Sequence, residues 1–146
     1  MKGLIFFVMV AFCPLSVAAM DIARCDTRMQ VTNVAEPWDK FTRTYANGDV
    51  RLVVIDTIEP AAGSVYLVVL SPPRDTLGRR QCRRISPVET LGFGGLNLDR
   101  VHSDYDPAVG LTVTMPAQTF DGFEFLDRQL SVVINQATGD ITASLE

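Results

Sequence analysis

The chain has 146 residues, 47% of them hydrophobic, and a formal net charge of −4 at pH 7. That is long enough for one core, and too apolar and too weakly charged for a disordered protein. Mild acidity argues against a nucleic-acid partner, which calls for a strongly basic face. A single histidine and three cysteines leave little material for a metal centre.

Met1-Lys2-Gly3 places one cation before an apolar run from Leu4 to Leu15, and Ser16, Ala18 and Ala19 supply small residues behind it. A basic start, a short apolar stretch and a small-x-small site form a secretory signal peptide. The run is shorter than the roughly 20 apolar residues a bilayer span needs, so it reads as a removable leader and not as an anchor. Cleavage after Ala18 or Ala19 is expected. Residues 1–19 are then the signal peptide, and 20–146 form one β-rich domain. Cys13 follows Phe12 and Cys25 follows Arg24, so neither stands at a lipidation site. With no Asn-x-Ser/Thr acceptor in the sequence, a bacterial periplasmic location is preferred to an extracellular one.

Loss of the leader removes Cys13 and leaves Cys25 and Cys82. An even count in an oxidising compartment predicts one structural disulfide. No Cys-x-x-Cys occurs, which argues against a redox or metal pair.

Along the remaining chain, apolar residues alternate with a period of two between turn residues, the pattern of antiparallel strands. Met29, Val31 and Asn33 suggest a first strand, broken at Glu36-Pro37-Trp38; Phe41–Tyr45 reads as a second. Asn47-Gly48 predicts a tight type I′ hairpin into Val50–Thr57. Val65–Leu70 follows the loop Glu59–Gly63. Both of these runs are apolar on both faces, so they belong at the centre of a sheet covered on two sides. Ser71-Pro72-Pro73 is read as a firm stop. Arg79–Ile85 is a short strand with Gln81, Arg83 and Ile85 on one face and Arg80, Cys82 and Arg84 on the other; the charge beside Cys82 suggests an edge. Pro87–Gly95 is irregular, with a short helical turn allowed near Pro87–Leu91, and Leu96-Asn97-Leu98 is a short strand. A turn from Asp104 to Gly110 leads into Leu111–Met115, read as ending at Pro116. Phe123 and Phe125 share one face, and Leu130, Val132 and Ile134 another. Asn135–Asp140 turns into a last strand with Ile141, Ala143 and Leu145. The predicted fold is all-β: a small antiparallel sandwich or barrel with one disulfide and little helix.

Few residues carry chemistry. His102 stands among Asp99, Ser103, Asp104 and Asp106. An acid–base pair with Asp104 is conceivable for a hydrolase, but no Gly-x-Ser-x-Gly elbow accompanies it and a polar surface loop explains it as well. Asp99, Asp104 and Asp106 supply only part of a calcium set, and aspartates of this kind also cap turns. Gly92-Phe93-Gly94-Gly95 lacks the following helix of a phosphate cradle and reads as a bulge or tight bend. Trp38 with Phe41 and Tyr45 reads as a seal on one end of the core.

Arg79, Arg80, Arg83 and Arg84, with Arg74, concentrate positive charge around Cys82 on an acidic chain. Protection of an exposed sheet edge explains charge on a strand but not its concentration in one place. These four arginines are therefore the expected contact residues for a protein or an anionic component of the cell envelope. The leading expectation is a non-catalytic exported protein that binds another macromolecule, as inhibitor, accessory subunit or assembly factor, with no cofactor. Alternatives are a barrel that carries a small apolar ligand and a hydrolase using His102 and Asp104.

Overall fold

The structure is a computed structural model that describes residues 19–88 and 91–146. The leader, with Cys13, falls outside the described residues apart from Ala19, and Glu89 and Thr90 of the expected Pro87–Leu91 turn do so as well.

The described residues form ten strands: β1 (Met20–Arg24), β2 (Thr42–Tyr45), β3 (Val50–Asp56), β4 (Val65–Arg74), β5 (Arg80–Pro87), β6 (Gly95–Leu96), β7 (His102–Asp106), β8 (Gly110–Phe120), β9 (Phe125–Ile134) and β10 (Ile141–Leu145). All pairings are antiparallel. One sheet has the order β1-β5-β4-β3-β2. The other runs β10-β9-β8, with β6 and β7 sharing the far edge of β8. Two separate sheets make this a sandwich, which decides between the two architectures expected.

Alternation along the strands builds the core. Leu52, Leu67, Val69 and Ile85 point from the first sheet toward Val113, Met115, Leu130, Val132 and Ile134 of the second, all fully buried. Each such side chain contributes about 1.5–3 kcal/mol by leaving water. The other face of β3 and β4 is also apolar and also covered. Ile55, Tyr66 and Val68 lie beneath Met29 and Val34, beside Cys25 and Cys82. The cover is the segment from Cys25 to Ala35, which leaves β1 and crosses the outer face. Val34 forms a bridge with Ile55, and the Ala35 N–H donates to the Val54 carbonyl at 3.0 Å. The Cys25–Cys82 disulfide, with Cα atoms 5.5 Å apart, ties the start of this strap to β5.

Several elements differ from the sequence reading. The first strand is β1, not Met29–Asn33, where a short 3-10 turn lies instead. Because β1 pairs with β5 from Met20↔Pro87 to Arg24↔Arg83, β5 is not an edge strand. The Asn47 hairpin joins Tyr45 to its partner Val50 through a four-residue loop, with Ala46, Asn47 and Gly48 all at positive φ, in place of a two-residue turn. Strand β4 continues past Pro72 and Pro73 because the register shifts between Ser71 and Arg74, so no ladder donor is needed there. Pro116 is tolerated inside β8 for a related reason. Its carbonyl accepts from the Asn97 N–H on the edge side, so its missing N–H faces the gap between β6 and β7. The expected Leu96–Leu98 strand shortens to β6 and then enters a 3-10 turn at Leu98–Arg100. Trp38 is exposed and seals nothing, whereas Phe41 and Tyr45 do pack on the core.

Both apolar clusters and the disulfide lie within residues 20–146. The disulfide joins positions 57 apart in sequence, and closing a loop of that length restricts the unfolded chain by about 4 kcal/mol. The double variant Cys25→Ser/Cys82→Ser is expected to lose about that much in urea unfolding, with the m-value reporting any expansion of the unfolded state. A loss below about 1 kcal/mol would show that the strap stays in place without its covalent tie.

Candidate binding site beside the disulfide

At the end of the sandwich where β1 runs out and the β4–β5 loop turns, a cleft of about 480 Å³ lies against the disulfide. Arg24, Arg74, Arg79, Arg80 and Arg83 line it, together with Pro73, Gln81, Cys25 and Cys82, and Asp75 is the only carboxylate in the lining. Three of the four sequence-predicted contact residues, Arg79, Arg80 and Arg83, meet here.

Two of the five guanidinium groups are neutralised. Arg79 Nε donates to Asp75 Oδ2 at 2.8 Å, and Arg74 Nη2 donates to Asp49 Oδ1 at 2.8 Å. Asp75 also accepts the backbone N–H groups of Arg79 and Leu77, and these bonds hold its carboxyl below the usual range. The other three arginines have no carboxylate within ion-pair distance among the described residues. Arg80 Nη1 donates to the Gly48 carbonyl at 2.7 Å, which fixes its direction without cancelling its charge. Arg24 and Arg83 stand directly opposite each other across the β1–β5 ladder. Like charges in that position weaken a strand pair.

The fourth predicted residue does something else. Arg84 is 7% exposed and lies beneath the strap. Its Nη2 donates to Asp21 Oδ2 at 2.7 Å and its Nη1 to Ser86 Oγ at 2.8 Å. Its Nε has no hydrogen-bond partner; Asp26 Oδ2, at 3.6 Å, is an electrostatic neighbour only. Tyr66 carries two cations on its ring, Arg28 at 5.1 Å and Arg84 at 5.6 Å from the centroid. Asp26 bonds to Arg28 at 2.6 Å, and that bond holds its carboxyl down at about 2. Sequence alternation placed Arg84 on the face of Cys82 correctly. What it lacked was the strap, which turns that face from surface into interior.

The remaining candidates lie away from this cleft. His102 and Asp104 share one face of β7, an exposed strand at the sheet edge. No ion pair among the described residues includes His102. Asp99 is taken up by Arg43 at 2.8 Å, and Asp106 Oδ1 accepts the Ala108 N–H at 2.7 Å to cap its turn. Among the described residues no group of three potential ligands surrounds a metal position. The Gly92–Gly95 stretch is a close backbone crossing: a Cβ at Gly92 would run into the Val65 carbonyl.

Sequence reasoning missed Arg24, because β1 borders the leader and its pairing with β5 is non-local. The alternation of Met20, Asp21, Ile22 and Ala23 was the available signal. The chain matches no protein-family model, and no similar curated protein or solved structure was found.

The burial of Arg84 generates a separable prediction. Arg84→Ala leaves Asp21 without its cation, while Asp26 keeps Arg28, and should cost about 3 kcal/mol, whereas Arg84→Met/Asp21→Ala, which removes both members of the pair, should cost much less. Arg80→Ala and Arg83→Ala should stay within about 0.5 kcal/mol of the parent. Because Asp26 titrates lower in the folded state than its ordinary 3.8, its contribution is complete above that pH and is lost as pH falls toward about 2. Asp26→Asn should remove that part of the acid dependence of unfolding. Equal stability losses for Arg80→Ala and Arg84→Ala would contradict this division of roles.

Proposed function

We propose that the protein is a non-catalytic exported binding protein whose arginine cleft receives an anionic surface, either an acidic protein or an anionic component of the periplasmic envelope. The observation that supports this most is the set Arg24, Arg80 and Arg83. It is a like-charged group that no carboxylate among the described residues relieves, in a net acidic chain. Edge protection would explain Arg24, on the outer strand β1, and Arg80, beyond the end of the β1 ladder, but not Arg83, which β1 covers. Stability does not account for it either, because opposed arginines oppose strand pairing. A surface that presents several carboxylates or phosphates would relieve these charges, and guanidinium groups suit such bidentate contacts.

Export is part of the same reading: cleavage after Ala18 or Ala19 would place the new terminus at the start of β1. A formed disulfide suits an oxidising compartment. No helix among the described residues is long and apolar enough to cross a membrane.

With the oxidised protein as bait in a native envelope fraction, the expected result is a partner retained at moderate salt and released as salt rises. Arg80→Glu/Arg83→Glu should lower its retention at least about tenfold, while Arg79→Glu, whose guanidinium is already paired, should have a smaller effect. Equal retention by the doubly reversed bait would remove the cleft from the function.

A further inference from the structure

Cys25 and Cys82 do more than fasten the strap. Both are half-buried: they pack against the outer cluster of Ile55, Tyr66 and Val68, and they also line the arginine cleft. The sulfurs of a purely structural bridge are best kept from solvent, whereas these border a cavity of about 480 Å³, a size suited to a small organic molecule. The two cysteines are 57 positions apart, so the sheet supplies the proximity that a Cys-x-x-Cys motif supplies in a loop. The Cys25 N–H donates to the Cys82 carbonyl at 3.3 Å and extends the β1–β5 ladder to the bridge itself.

The charge around the bridge is one-sided. Arg24 precedes Cys25 and Arg83 follows Cys82, and the ladder sets these two arginines opposite each other. Arg80 is aimed by the Gly48 carbonyl at 2.7 Å, and Gln81, beside it, is fixed by the Gly139 carbonyl at 2.7 Å. The nearby carboxylates are engaged elsewhere. Asp26, next to Cys25 in the chain, accepts from Arg28 at 2.6 Å, and Asp75 accepts from Arg79 at 2.8 Å. Two consequences follow for the chemistry of the sulfurs. Unpaired cations raise the local concentration of an anionic reagent. They also stabilise the thiolate that leaves when the bond is attacked, and a better leaving group leaves faster.

We propose that Cys25–Cys82 is a reactive disulfide that exchanges with a small thiol bearing carboxylate or sulfonate groups, which Arg24, Arg80 and Arg83 hold in the cleft. The thiolate of that molecule attacks one sulfur of the bridge. The Cys25–Cys82 bond breaks, its electron pair leaves with the other cysteine as a thiolate, and a mixed disulfide forms. A second molecule of the thiol attacks the mixed disulfide at the small molecule's sulfur and releases the second cysteine as a thiolate. The protein gains two electrons, and two small thiols become one small disulfide. The same steps run backwards, with the small disulfide as oxidant, remake the bridge. Reduction removes the covalent tie of the strap and leaves the Val34–Ile55 bridge and the Asp26–Arg28 pair in place. The inference rests on the unpaired charge of the cleft, as the binding reading does, and adds a covalent step with a small anionic thiol.

The test follows reduction of the oxidised protein by 2-mercaptoethanesulfonate, 2-mercaptoethanol and cysteamine, an anionic, a neutral and a cationic thiol. Each rate is divided by the rate of the same thiol on an uncharged model disulfide, which cancels its intrinsic reactivity. The anionic thiol is expected to exceed the neutral one by about tenfold at low salt, with the cationic one slowest, and the differences should collapse at high salt. Arg80→Glu/Arg83→Glu should invert the order, and Arg80→Gln/Arg83→Gln should fall between that variant and the parent. The neutral thiol is the internal control, since a variant that merely loosens the fold speeds all three alike. Equal normalised rates for the three thiols overturn the proposal. So does an order that neither variant changes, or a rate independent of thiol concentration, which would mean that the sulfurs react only after the protein unfolds. Partner capture through the arginines together with equal thiol rates would overturn the exchange reaction and leave the binding reading; charge-ordered rates without capture would do the reverse.

Discussion

Strands β3 and β4 are apolar on both faces, so their sheet needs cover on two sides. One side is met by the second sheet, which turns Val113, Met115, Leu130, Val132 and Ile134 inward. For the other, the described residues supply no third sheet. A strap of irregular chain from Cys25 to Ala35 covers it, and irregular chain needs fastening because it brings few ladder hydrogen bonds of its own. Three devices do this: the disulfide to β5, the Val34 bridge to β3, and the network in which Asp21, Asp26, Arg28 and Arg84 gather around Tyr66. The candidate cleft lies next to that fastening: the β1–β5 ladder sets Arg24 opposite Arg83, and the Cys25–Cys82 disulfide lines the cleft beside them.

Local and periodic features were legible in the sequence. The central burial of Val50–Ile55 and Val65–Val69 followed from apolar residues on both faces, and the Asn135–Asp140 hairpin from its turn residues. Non-local features were not. Met20–Arg24 shows alternation over only a few residues beside the leader, and its status as a strand depends on a distant partner, Arg83–Pro87 of β5. His102–Asp106 is polar throughout and exposed throughout, so it carries no apolar period to betray a strand; only its ladder with β8 makes it one. The three prolines read as strand stops were placed where the ladder had no use for their missing N–H, Pro72 and Pro73 at a register shift in β4 and Pro116 at a change of edge partner in β8.

The arginine cluster shows the same division at the level of single side chains. Sequence adjacency grouped Arg79, Arg80, Arg83 and Arg84. Strand alternation then separates them, since Arg83 shares a face with Ile85 while Arg84 shares one with Cys82. Burial under the strap completes the separation, leaving Arg84 as a structural cation with two acidic neighbours. Arg24 joins the cleft from a strand the sequence did not reveal. What remains is uncompensated positive charge beside the disulfide.

Hydrogen exchange of the oxidised protein, alone and with native envelope fraction, would test the role of the arginine cleft most directly. Slowed exchange in the Asp75–Arg79 loop and around Cys25, abolished by reversing Arg80 and Arg83, is the result predicted for a cleft that receives an anionic partner. Unchanged exchange in that loop while another surface, such as the β7 edge, becomes protected would contradict it.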